Sequence, residues 1–147
     1  MSVSNIERIN KGLQLVRTGL APYIMRELKA FYKDQWWKRG VETVLENTAG
    51  REALLSSGIP EEKFSKLDVQ ALLVIMWGNW NEIFQAQLGY SGRNYVSELR
   101  EVRKNWAHQQ PFSAEDTYRA LDTMTRLVEM VNGVGAEDLK ELSQETL

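Results

Sequence analysis

The chain contains no cysteine and a single histidine, His108. Without thiols there is no disulfide framework, thiolate nucleophile or zinc knuckle, and one imidazole per chain cannot assemble a histidine-rich metal site. Metal-free chemistry is therefore favoured, a carboxylate-bound magnesium ion being the metal this composition still admits. No apolar run approaches the ~18 to 20 residues that span a bilayer. The opening Met1-Ser2-Val3-Ser4-Asn5 lacks the basic start and apolar stretch of a signal peptide. The expectation is a cytoplasmic protein without membrane contact. Alternating strand patterns, low-complexity stretches and repeats of ~20 to 50 residues are also missing. A net charge of −2 excludes a general, charge-driven nucleic-acid coat and leaves room only for a local basic groove.

What is present is the composition of one ordinary folded domain: 147 residues, 43% hydrophobic and 26% charged, enough to bury a core. Ser4 and Glu7 have capping-box spacing, and Ile6, Ile9, Leu13, Val16 and Leu20 behind them repeat at helical steps. Gly19 and Pro22 predict a break, after which a second helix carries Tyr23, Met25, Leu28, Tyr32 and Trp36 and continues weakly to Leu45. Trp36 and Trp37 sit at core spacing rather than on a base-stacking platform. Residues 48 to 66 collect Gly50, Ser56, Ser57, Gly58 and Pro60 and predict a loop with at most short helical turns, the place for a mobile insertion.

From the cap Asp68, an apolar helix runs through Leu72, Met76, Trp80 and Phe84 to Leu88; its density predicts a central position, with Gly78 permitting a close crossing and Gly89 and Gly92 marking its end. Arg93 to His108 forms a charged helix with Tyr95, Leu99, Val102 and Trp106 on one face. Pro111 stops it, and Ser113 with Asp116 restarts a helix that Gly133 and Gly135 terminate. The pattern predicts an all-α bundle of four or five helices. Residues 1–135 form the helical domain, and 136–147 a C-terminal helix or the start of a linker to a downstream region.

One string concentrates chemistry: Arg103-Lys104-Asn105-Trp106-Ala107-His108. An imidazole exchanges protons near pH ~6.5, and a guanidinium is a fixed cation that matches phosphate oxygens. Together they suggest work on a phosphodiester; the alternative is that His108 merely ends a helix and Arg103 sits on a solvated face. Arg103 and its fifth successor are offset by about 140° on an ideal helix, so the two do not share a face within one chain. Glu98 and Glu101, interleaved with Arg100 and Lys104, read as a salt-bridging face that also has the reach to position Arg103 or His108. Trp106 reads as a packing or interface anchor.

With Val102 before it, and Pro111-Phe112 and Asp116-Thr117-Tyr118-Arg119-Ala120-Leu121-Asp122 after it, this string resembles the HEPN superfamily. Gly12-Leu13, Leu20-Ala21-Pro22 and the Trp77 to Phe84 segment extend the likeness over most of the chain. The Arg-x4-His form resembles a subgroup found in RNA-surveillance nucleases and in bacterial ATPase and defence proteins. The resemblance implies a two-fold dimer in which the motif helices of both copies form one cleft for RNA. It implies metal-independent cleavage to a 2′,3′-cyclic phosphate without any cofactor, in RNA degradation or antiviral defence. His108 and Arg103 would be catalytic and Asn105 would assist them. Lys104 and Arg100 would bind substrate, and Glu98, Glu101 and Trp106 would support the site. Many active members place asparagine directly after the arginine, where this chain has Lys104. The alternative the resemblance allows is a non-catalytic dimerisation or RNA- or nucleotide-binding module that regulates an attached ATPase, helicase or nuclease.

Overall fold

The computed structural model describes residues 4–48, 51–54 and 57–147, and among them every regular element is helical. Expectations at the first three residues and at Gly50 and Ser56 fall outside the described residues. The first helix, α1, spans Asn5–Tyr32, with the Ser4 hydroxyl accepting from Glu7 N–H at 3.2 Å as the capping spacing required. Its buried stripe, Ile9, Leu13, Val16, Leu20, Ile24 and Leu28, continues without interruption past Pro22. The predicted break at Gly19 and Pro22 is thus corrected to a single helix. Proline removes one helical bond, but the carbonyl it orphans belongs to Thr18, an exposed residue. The stripe on the opposite side outweighs that loss.

After α1 the chain tightens into a 3-10 turn at Lys33–Gln35, widens into a π turn at Lys38–Glu42 and ends in a short α2, Thr43–Leu45. Trp36 and Trp37 are buried, 5.8 Å apart and edge to face, with Phe64 against Trp36; they are core residues, as their spacing indicated. Between residues 48 and 66 only short helices occur among the described residues, α3 at Arg51–Leu54 and α4 at Pro60–Ser65. The Arg17 guanidinium donates to the carbonyls of Leu67, at 2.7 Å, and Ser65, tying the end of this connection to α1.

Helix α5, Val69–Gly78, is apolar nearly all round and buried in the centre of the bundle. Asp68 caps it through a 2.9 Å bond from Ala71 N–H. The apolar run that follows does not continue as one helix to Leu88. It breaks at Asn79, passes through a π turn at Trp80–Phe84 and resumes as α6, Gln85–Ala107, which bends at Gly89 (φ 60, ψ −161) and carries Gly92 inside it. The break has a cause in side-chain chemistry. The Asn79 amide is buried and donates to the carbonyls of Ile75, at 2.9 Å, and Gly40, at 3.0 Å, while its oxygen accepts from the Tyr32 hydroxyl at 2.7 Å. A buried amide whose bonds are all made inside the protein fixes the backbone around it.

Helix α7, Ala114–Met130, is capped by Ser113, whose hydroxyl accepts from Asp116 N–H at 3.0 Å, and packs along α1 and α6. A final helix, α8 (Ala136–Gln144), lies against α7 and α1 with Leu139 fully buried. The turn between α7 and α8 approaches α1 backbone to backbone: a Cβ at Gly133 would stand 2.5 Å from the Gly19 carbonyl oxygen. No helix of the described residues is long and apolar enough to cross a membrane.

Candidate functional site

The motif string occupies the last turns of α6. Its C-terminus closes on main-chain bonds alone: Gln109 N–H donates to Trp106 O at 3.1 Å and Gln110 N–H to Asn105 O at 2.9 Å. This paired closure satisfies carbonyls that would otherwise be orphaned and leaves exposed His108 as the capping residue. The closure requires a left-handed residue after the cap, and here Gln109 takes it, with φ 59. Glycine adopts that conformation without strain, so Gln109→Gly is expected to raise stability by about 0.5 to 1 kcal/mol, measured by urea unfolding. The connection beyond the turn is fastened to the start of α1 by the Asn5 amide, which donates to Phe112 O at 3.0 Å.

Arg103 points the other way, toward α5. Its guanidinium lies 3.6 Å from the Asp68 carboxylate and 6.0 Å from the centre of the Trp106 ring, and its side chain is only 23% exposed. Asp68 therefore serves twice, as the cap of α5 and as the partner of the motif arginine. Asparagine caps as well as aspartate but cannot pair with the cation. Asp68→Ala is expected to be about 1 kcal/mol less stable than Asp68→Asn in thermal unfolding, because asparagine keeps the cap that alanine removes and both variants lose the ion pair alike.

The residues around the motif line two hollows that share Glu101. Gln70, Ser97, Arg100, Glu101, Arg103 and Lys104 line a polar groove of about 290 Å³ between α5 and α6. Glu98, Glu101, Asn105, Phe112, Asp116 and Arg119 are among the residues lining a cleft of about 260 Å³ between α6 and α7. Asn105 is thus placed with Glu98 and Arg119 rather than beside Arg103, and His108 lines neither hollow. Both Glu98 oxygens are engaged, one accepting from Arg119 at 2.5 Å and the other from Thr123 at 2.8 Å. Partial burial works to raise the Glu98 carboxyl, but the two hydrogen bonds and the Arg119 charge together hold it below its ordinary value. Glu98 accordingly braces α6 against α7 instead of addressing Arg103 or His108. Trp106 is half-buried against the core, as an anchor should be.

Two participants were not singled out from sequence. Asp68 was legible only as a cap, since its pairing with Arg103 requires α5 and α6 to be side by side. Arg119 lay within the recognised stretch after the motif, yet its role in holding Glu98 appears only across two helices. The electrostatic asymmetry is also tertiary. Arg93, Arg100 and Lys104 lack an ion-pair partner among the described residues, whereas Arg119 and Arg126 are paired with Glu98 and Asp122. A family model described as Swt1-like HEPN matches residues 11–132. No curated protein and no solved structure matches the chain.

Proposed function

Because the chain belongs to the Swt1-like HEPN family, we propose that it is a metal-independent endoribonuclease domain, acting as a homodimer in a cytoplasmic RNA-degradation or antiviral-defence setting. The observation that carries the reading is the contrast at the end of α6: a guanidinium held to one side by Asp68, and an exposed imidazole at the closed turn on another side. Neither group completes a site within one chain. A two-fold axis repeats every contact, so two such helix ends facing each other supply both arginines and both histidines to a shared cleft.

In that cleft one imidazole takes the proton of a ribose 2′-hydroxyl, or delivers one to the departing 5′-oxygen. The 2′-oxygen attacks the adjacent phosphorus and the P–O5′ bond breaks. Arg103 stabilises the charge that builds on the phosphoryl oxygens. The products are a 2′,3′-cyclic phosphate and a free 5′-hydroxyl, and the nucleophile comes from the RNA itself. Lys104 and Arg100 add positive charge beside Arg103 in the polar groove, while Asn105 contributes from the neighbouring cleft.

The test is cleavage of single-stranded and structured RNA by the purified chain in excess chelator, with the product ends analysed. Cyclic phosphate ends formed by the wild type, and none from RNA carrying deoxyribose at the scission site, are the expected result. A second reading is favoured by Lys104 standing where asparagine often follows the arginine, and by Asn105 facing a different hollow from Arg103. In it the chain is a non-catalytic RNA-binding module controlling an attached ATPase, helicase or nuclease. Specific RNA binding with no cleavage in any version supports that module and ends the enzyme reading.

A further inference from the structure

Beyond the bend at Gly89, α6 carries a row of residues that the motif does not include. Tyr90, Arg93, Ser97, Arg100, Lys104 and His108 follow one another at three- and four-residue steps. At about 100° per residue they fall within an arc of about 80°, and they extend over about 27 Å. Arg103 lies outside this arc, on the side facing Asp68. The row therefore leads along a single face of the helix to the imidazole.

Its members are built for a polyanion with unstacked bases. Tyr90 is 86% exposed, the most exposed large aromatic among the described residues. It borders a hollow of about 240 Å³ together with Trp80, Gln85, Gly89 and Arg93. The Arg93 and Arg100 guanidinium groups both lie over the Trp77 ring, at 4.9 and 5.3 Å from its centre. Trp77 is half-buried and its ring attracts both cations, neither of which donates a hydrogen bond to another described residue. Neither arginine has an ion-pair partner among the described residues, and Lys104 continues the series. Glu101 flanks the row at its far end, where it borders the polar groove.

We infer that this face is a track for single-stranded RNA: Tyr90 stacks an unpaired nucleobase at one end, Arg93, Arg100 and Lys104 grip successive phosphates, and the strand arrives at His108. The inference rests on the RNA-directed reading above and extends the substrate site to residues well outside the Arg-x4-His string. A duplex offers no free base face to Tyr90, so the track selects single strands.

The experiment is fluorescence anisotropy on 2′-O-methylated single-stranded oligoribonucleotides, which lack the attacking hydroxyl, over a range of salt concentrations. Tyr90→Ala is expected to weaken binding roughly ten-fold and Tyr90→Phe to leave it intact. Arg93→Ala is expected to weaken binding and to reduce the log–log salt slope by about 0.7, the share of one phosphate contact on a single strand. Arg26→Ala, which removes an exposed cation from α1, is expected to bind as the wild type does. Circular dichroism of the exposed-site variants verifies the fold. If Tyr90→Ala and Arg93→Ala bind and cleave like the wild type while His108→Ala loses cleavage, the track is overturned and the nuclease reading stands. An equal loss with Arg26→Ala, or a duplex bound as tightly as a single strand, also overturns the track. A wild type that neither binds nor cleaves RNA overturns both.

Discussion

His108→Ala is expected to lower RNA cleavage by roughly 10²- to 10⁴-fold, the range that a positioned acid–base group supplies, with no appreciable change in melting temperature. His108 is exposed and contributes its backbone, not its ring, to the closed end of α6. Loss of activity in a folded variant therefore reports chemistry. Arg103→Ala is expected to cost a similar factor, and Arg103→Lys to restore little of it, because an ammonium lacks the planar fork of a guanidinium. The composite site adds a sharper test. Mixing His108→Ala with Arg103→Ala subunits and allowing exchange forms mixed dimers in which one of the two symmetry-related Arg–His pairs in the shared cleft is intact. Statistical mixing then restores roughly a quarter of wild-type activity if each pair joins one copy's arginine to the other's histidine. Absence of recovery, with exchange verified, would remove the shared cleft from the account.

Gly133→Ala is expected to destabilise the protein by about 3 kcal/mol, at the upper end of overpacking costs, and to lower Tm by roughly 6 to 12 °C for a chain of this size. The added Cβ would stand 2.5 Å from the Gly19 carbonyl oxygen and 3.0 Å from its carbon, and these are backbone atoms of a buried helix that cannot swing aside as a side chain would. Gly19→Ala should cost nearly as much, since its Cβ would meet Val134 O at 2.8 Å and Val128 Cγ1 at 2.9 Å. The two changes strike one contact, so the double variant should lose less than the sum. Gly89→Ala separates the mechanisms: its φ is 60, yet nothing lies within 4 Å of the added atom. Only the backbone cost of placing a side chain at φ 60 and ψ −161, a region essentially reserved for glycine, is expected there, about 1 to 3 kcal/mol. Thermal unfolding of the three variants measures all of this; a Gly133→Ala protein within 0.5 kcal/mol of wild type would mean that the turn moves freely away from α1.

These glycines illustrate what could and could not be read in advance. Signals confined to one turn were legible: Ser4, Asp68 and Ser113 each begin a helix with the bond their spacing implied. Signals whose meaning depends on tertiary surroundings were not. Pro22 does not end a helix, the carbonyl it abandons belonging to the exposed Thr18 while the buried stripe runs on past it, and Gly19 is there for contact with Gly133 rather than for a break. Asn79 interrupts an apolar run because its amide finds partners 39 and 47 residues away, at Gly40 and Tyr32. At the site, helical geometry already separated Arg103 from His108. Where each of them points was decided by Asp68 and by the closure at Gln109, which join distant or main-chain atoms. Likewise Glu98 was recognisable as part of a charged face, but its commitment to Arg119 and Thr123 follows from α7 lying alongside.

The turn that follows His108 is held by main-chain bonds, with N–H donors that any residue except proline provides and carbonyl acceptors that every residue provides. The imidazole's location is consequently insulated from drift in the neighbouring side chains. Residue 110 is open to any side chain but proline, and residue 109 to glycine or another residue that tolerates the left-handed conformation, while the helix end keeps its shape. Change in the adjacent segment can therefore proceed without rebuilding the end of α6.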